Sequence, residues 1–192
     1  NLTYCLELAH IIKGLHQCKV IHKNINPDNF LIHAETSEIK LFDLSISILL
    51  SQERAELFDY KEIVGNLQFI SPEQTGRINK LLDYRTDFYS LGILFYWIFT
   101  GKLPFETADP IELIHAHIAK VPEHPSRIDA KIPKAIGDII LKLLQKSSDH
   151  RYHSADGLIA DLENCLFLLN EKGGISDFEL GQHDQSDILY IP

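Results

Sequence analysis

Methionine is absent from all 192 residues, and cysteine occurs only as Cys5, Cys18 and Cys165. None of these forms a Cys-x-x-Cys pair and their number is odd. That argues against a disulfide framework or a zinc site and for a reducing, cytoplasmic setting. Clusters of lysine and arginine are missing too. The 18 basic and 27 acidic residues leave a net charge of −9, which disfavours nucleic acid or an anionic membrane as partner. No apolar run reaches the length of a membrane span, and the richest, Leu91 to Thr100, is stopped by Gly101. A charged-then-apolar leader is lacking. So are the Walker loop, the Gly-x-Gly-x-x-Gly turn and the Gly-x-Ser-x-Gly elbow. His115 and His117 face different ways on a helical pattern, and His150 and His153 flank Arg151 with no third ligand near, so no metal pair is expected. The missing methionine, with a first residue already inside a helical pattern, makes a fragment of a longer protein the expectation.

What is present suits one well-buried domain: hydrophobic residues make up 45% of the chain. Leu2, Cys5, Leu6, Leu8, Ala9, Ile12 and Leu15 recur at helical spacing, predicting an amphipathic helix to about His16. Val20-Ile21 leads into a loop in which Pro27 and its neighbouring asparagines forbid further helix. Phe30 to His33 and Glu38 to Phe42 read as two short strands joined by a turn at 34–37, a hairpin. Leu44 to Phe69 has no pattern, and unpatterned stretches of that length are usually functional. Ser71 is positioned to cap a short helix opened by Pro72.

From Tyr84 to Thr100 the chain is apolar on every side, which belongs at the centre of a domain. Further helices are expected from Asp109 to Ala119, from Pro133 to about Lys146, and from Ala155 to about Leu169 with Ser154 as cap. Pro122 and Pro125 should break the chain between them. Beyond Asn170, Gly173-Gly174 and a polar run predict a linker. The fold class is therefore mainly α with a small β hairpin, divided into residues 1–169 and a 170–192 linker.

The chemistry concentrates early. Asp43 and Asn29 are oxygen donors of the kind that hold Mg²⁺ beside a phosphate chain. Either alone is as readily a turn-forming Asx residue. Their pairing and spacing favour the metal reading.

These residues fall in motifs. His22-Lys23-Asn24-Ile25-Asn26-Pro27-Asp28-Asn29 resembles the catalytic loop of protein kinases, His-Arg-Asp-Leu-x-x-x-Asn, and Asp43-Leu44-Ser45 resembles the metal segment Asp-Phe-Gly. Ser71-Pro72-Glu73 stands where that family has Ala-Pro-Glu, and Asp87 to Gly92 looks like its Asp-x-x-Ser-x-Gly. Arg151 stands at the arginine that pairs with the Glu73 position. The ordered set resembles the C-terminal lobe of a serine/threonine protein kinase over about Leu2 to Leu169, a fold that is α+β overall with its N-terminal lobe. The wording around Ser71 to Arg77, Asp83 to Gly92 and Gly101 to Phe105 is similar to the kinase-like module of giant bacterial sensor proteins. There, an ATPase domain, a sensory domain and a histidine kinase follow. Phe178 to Asp184 looks like the start of that ATPase domain.

The resemblance implies that Asn29 and Asp43 ligate Mg²⁺ beside ATP, that Glu73 and Arg151 form a buried ion pair, that Asp87 accepts hydrogen bonds from the loop backbone, and that His22 packs in the core. ATP and Mg²⁺ are expected only with the N-terminal lobe, whose glycine loop and strand lysine do not occur here. Implied partners are the adjoining ATPase and histidine kinase domains and a protein substrate.

The sequence departs from the family where charge matters. Asn24 stands for the aspartate that accepts the substrate proton, and a neutral amide cannot do so near pH 7. Asn26 stands for a lysine and Asn66 for a threonine; Ser45 replaces a glycine, and Lys23 lacks the planar fork of arginine. The primary reading is a catalytically impaired, regulatory kinase-fold module. An active serine/threonine kinase and a helical domain unconnected with nucleotides are the alternatives.

Overall fold

The computed structural model of the chain describes residues 1–49, 65–78, 80 and 82–184. Ten regular elements carry the description: α1 (Leu2–Gln17), β1 (Val20–Ile21), β2 (Phe30–Ile32), β3 (Ile39–Leu41), β4 (Ile48–Leu49), α2 (Arg85–Thr100), α3 (Pro110–Ala119), α4 (Pro125–Ile128), α5 (Lys134–Leu143) and α6 (Ala155–Lys172). The molecule is mostly helical with two small antiparallel ladders.

Helix α2 is the axis of the core. Every residue from Thr86 to Tyr96 is buried, because a helix apolar all round can shed its surface only by being surrounded. Gly101, at φ 70, closes it in the left-handed conformation that glycine enters without a steric cost. Helix α5 crosses α2 closely at Gly92, where a Cβ would lie 2.7 Å from that of Leu143. Helix α1 lays Leu2, Cys5, Leu8, Ala9 and Ile12 against the same core and packs along α6. Helix starts follow their sequence signals: Asp109 accepts from the Ile111 and Glu112 amides, and the Ser154 hydroxyl accepts from Gly157 N.

Strand β2 pairs with β3 in the register Phe30↔Leu41, which is the expected hairpin. A second ladder was not expected. β1 pairs with β4 as Val20↔Leu49 and Ile21↔Ile48, so the supposedly unpatterned stretch after Leu44 begins with a strand. Two residues carry no readable period, and their partner is distant in sequence. The rest of that stretch, residues 50–64, lies outside the described residues, as do 79, 81 and 185–192.

Smaller departures have local causes. Pro125 opens the one-turn helix α4, since proline suits a first helical position and His124 Nδ1 accepts from Ser126 N. α5 stops at Leu143, before Lys146. α6 continues past Leu169 to Lys172, where Gly173 caps it at φ 68. Pro72, rather than Ser71, holds the backbone cap of the 3₁₀ turn Glu73–Thr75, although Ser71 Oγ still accepts from Gln74 N at 3.4 Å.

Candidate active site

Residues 22–29 join β1 to β2, and residues 42–47 join β3 to β4, so the two ladders set these loops side by side. Three bonds stitch them together. His22 Nε2 lies 3.2 Å from the Phe42 carbonyl, Phe42 N donates to the Asn29 carbonyl at 3.0 Å, and Ser47 Oγ donates to the His22 carbonyl at 3.2 Å. His22 is fully buried, and its Nδ1 accepts from Asn24 N at 3.3 Å. Both contacts suit the tautomer that carries its proton on Nε2. Asp43, one residue beyond Phe42, is thereby delivered beside the loop.

The loop itself is a network of amides. Asn26, 3% exposed, donates from Nδ2 to the Asn24 carbonyl at 3.0 Å and to Asn24 Oδ1 at 2.9 Å, and its own Oδ1 caps the 3₁₀ turn Pro27–Asn29 at Asp28 N. Asn29 donates from Nδ2 to the Asn24 carbonyl at 2.8 Å. Asn24 Oδ1 also accepts from Asn66 N at 3.3 Å, which ties the loop to the chain re-entering after residue 64. Gly65 passes close by, and a Cβ there would lie 3.2 Å from Asn24 Oδ1. Among the described residues, the Asn24 carbonyl side of the amide is thus spent on shape.

Among the described residues two oxygens remain uncommitted: Asn29 Oδ1 takes no hydrogen bond, and Asp43 accepts from Ser45 N on Oδ1 at 3.2 Å and from no other donor on Oδ2. Asp43 is exposed, sits at φ 63, and is held below the ordinary carboxylate pKa by hydrogen bonding from Ser45 first and by the nearby His22 last. An amide oxygen with a readily ionised carboxylate fits a hard cation such as Mg²⁺, which takes few protein ligands beside phosphate oxygens. The described residues contain no cluster of three or more His, Cys, Asp or Glu side chains that could hold a metal by itself.

Beneath the loop lies a fully buried carboxylate. Asp87 Oδ2 accepts from His22 N at 2.9 Å and contacts His16 Nε2 at 3.0 Å, and Oδ1 accepts from Lys23 N at 2.9 Å. Lys23 is at φ 68, a conformation rare for a side-chain-bearing residue, and these bonds hold it there. Gln74 Nε2 adds a bond to the Lys23 carbonyl at 2.8 Å. Farther back, Arg151 and Glu73 form a bidentate pair at 2.5 and 2.9 Å. Carbonyls of Gln145, Arg85 and Lys146 take the other guanidinium donors, and Thr86 Oγ1 donates to Glu73. Every polar atom of the pair is satisfied, the condition under which a buried ion pair is tolerated.

His22, Asn24, Asn26, Asn29, Asp43 and Asn66 therefore converge, with Asp87 below them and Glu73–Arg151 behind. His16, Gln74, Thr86 and Tyr84 join the support without having been anticipated. His16 read only as the end of a helix, and a lone glutamine has no sequence signal.

With this geometry in place, the chain belongs to the protein kinase domain family, whose family model matches residues 2–161. It is similar to a probable serine/threonine-protein kinase of Streptomyces coelicolor, 31% identical over 86% of this chain and 24% of that protein. A probable serine/threonine-protein kinase of Clostridium perfringens is 32% identical over 82% of this chain and 22% of that protein. Hybrid signal transduction histidine kinase G of Dictyostelium discoideum is 39% identical over 64% of this chain but only 4% of that protein. The chain thus spans a quarter or less of the length of these relatives. No helix among the described residues is long and apolar enough to cross a membrane.

Proposed function

We propose that this chain is the C-terminal lobe of a serine/threonine-type protein kinase domain within a multidomain signalling protein, and that its phosphate-transfer chemistry is impaired and its role regulatory. The observation that carries this reading is Asn24. It stands at the motif position of the proton-accepting aspartate, and its side-chain oxygen accepts from Asn26 and Asn66. Losing a positioned base costs about 10²–10⁴ in rate. The loop-held asparagines support a site kept for shape and for a metal at Asn29 and Asp43, with His22, Asp87, Glu73 and Arg151 as its frame. ATP with Mg²⁺ would bind only when the N-terminal lobe supplies the glycine loop and strand lysine. Residues 170–192 would lead toward an ATPase domain and a histidine kinase. The histidine kinase among the relatives, aligned over a small share of its length, supports such a multidomain setting.

The test uses the chain extended upstream through the N-terminal lobe, with labelled ATP and a generic protein acceptor. Phosphate transfer should stay near background and rise sharply in Asn24→Asp. Clear turnover that Asp43→Ala abolishes would overturn the proposal. The second reading, an active kinase, is favoured by the uncommitted oxygens of Asn29 and Asp43. It expects Asn24→Asp to change the rate only modestly.

A further inference from the structure

Sequence pattern alone makes the stretch after Gly173 a tether, but the side chains there are engaged. Ile175, Phe178 and Leu180 pack against the main core. Gly181 N donates at 2.8 Å to Asp161 Oδ2, a carboxylate only 4% exposed that also accepts from Tyr152 Oη at 2.6 Å. At the end of the segment, Asp184 is seated on the first turn of α6. Its carboxylate accepts from His153 N at 2.9 Å, Ser154 N at 2.9 Å and Ser154 Oγ at 3.1 Å. A carboxylate at the positive end of an 18-residue helix, with several donors, is a favourable placement. The seat is also shaped for it: a Cβ on Gly157 would lie 2.4 Å from Asp184 Oδ1 and 2.7 Å from its Cα.

The seat adjoins the loop at residues 22–24 by a short series of contacts. His153, whose amide binds Asp184, accepts at its carbonyl from Tyr84 Oη at 2.6 Å. The Tyr84 ring meets His16 edge-on, with centroids 5.4 Å apart. His16 Nε2 contacts Asp87, and Asp87 holds the amides of His22 and Lys23. The loop's unusual Lys23 backbone is therefore braced by groups whose far end rests on the turn that Asp184 grips.

We propose that residues 175–184 are a latch, seated on α6 through Asp184 and Asp161, and that its seating sets the order of the loop at His22 and Lys23. This rests on the reading of that loop as the functional site, and it would make the segment a regulatory input from whatever engages it.

The experiment is amide hydrogen exchange on the intact chain without nucleotide, comparing the parent with Gly157→Ala and Asp184→Ala. Gly157→Ala expels the carboxylate sterically and leaves the latch sequence untouched; Asp184→Ala removes the carboxylate and leaves the seat untouched. In both, exchange at Gly181 and at the His153 and Ser154 amides should rise roughly tenfold or more, with a parallel rise at His22 and Lys23. Protection at Ile12 and Leu91 should persist, which excludes global unfolding. Rapid exchange at Gly181 in the parent would overturn the latch. A released latch with His22 and Lys23 still protected would overturn the coupling. Neither result depends on phosphate transfer, so failure here is distinguishable from failure of the impaired-kinase reading.

Discussion

The loop at residues 22–29 is held by neutral amides, whereas the anchors beneath it are held by buried charges. In the loop, Asn24, Asn26 and Asn29 bond to one another and to backbone, and no side-chain charge among them has to be desolvated. In the anchors, Asp87 and the Glu73–Arg151 pair are buried to within a few per cent of complete. Their charges are retained because removing one partner strands the other. The contrast teaches that frame and chemistry are separable here. A loop can keep its path with neutral groups alone, provided that each finds a hydrogen-bond partner within reach.

Breaking the charged side should have the largest effect. Glu73→Ala leaves the Arg151 guanidinium buried among carbonyls with no counter-charge, and should destabilise by about 3–5 kcal/mol in urea unfolding. A change under ~1 kcal/mol would show that the anchor is dispensable.

Next comes the refusal of new charge beside the anchor. His117, on α3, is fully buried against Tyr89 and Phe105, with Lys146 Nζ donating to its carbonyl at 2.8 Å and no hydrogen-bond partner for Nε2 among the described residues. Burial first, then the Lys146 ammonium, push its pKa down from 6.5 to about 4, against a weak opposing contribution from the Leu67 backbone. Between those values the unfolded chain binds the proton that the native chain refuses, so stability falls as pH drops from about 6.5 toward 4. The loss should total on the order of 3 kcal/mol, and the difference between the parent and His117→Gln isolates it. A parent curve parallel to that of the variant would rule it out.

Gly92→Ala probes the apolar frame shared by both regions. Its new methyl would meet Leu143 at 2.7 Å, so overpacking should cost about 1–3 kcal/mol, read as a lower thermal midpoint.

The smallest effects belong to the loop. Asn24→Asp keeps an oxygen facing Asn26 Nδ2 and Asn66 N, so stability should move by less than about 1 kcal/mol while the chemistry changes. Exposed Asp43→Ala should leave stability within about ±0.5 kcal/mol yet abolish Mg²⁺ binding, measured by titration calorimetry on the chain extended upstream. Equal Mg²⁺ binding in this variant would remove Asp43 from the metal site.

Much of the frame was legible because it is local. The core helix showed itself from Phe88 to Phe99 by being apolar on all sides, the hairpin by two short runs around a polar turn, α3 by Pro110 at its first turn and α6 by its Ser154 cap. What escaped was non-local. The β1–β4 ladder joins Val20 to Leu49, and no short-range pattern predicts such a pairing. Pro125 reads equally as a breaker and as a helix start, and only the His124 side chain decided for the start. The segment 175–184 looks like a linker because its glycines and polar residues are what linkers contain, while its few apolar residues find partners only on a finished core.

The sequence by itself determined the longer helices, the hairpin, the order of the motifs and the identity of each group in the loop, because those follow from short-range periodicity and side-chain chemistry. Only the tertiary structure decided which of those groups are spent on one another. Among the described residues, Asn24 Oδ1 is committed while Asn29 Oδ1 is not, His16 and Gln74 join Asp87 in bracing the loop, and Asp184 sits on a helix rather than in solvent. Such commitments depend on distances between residues far apart along the chain, and those distances exist only once the core has closed around α2.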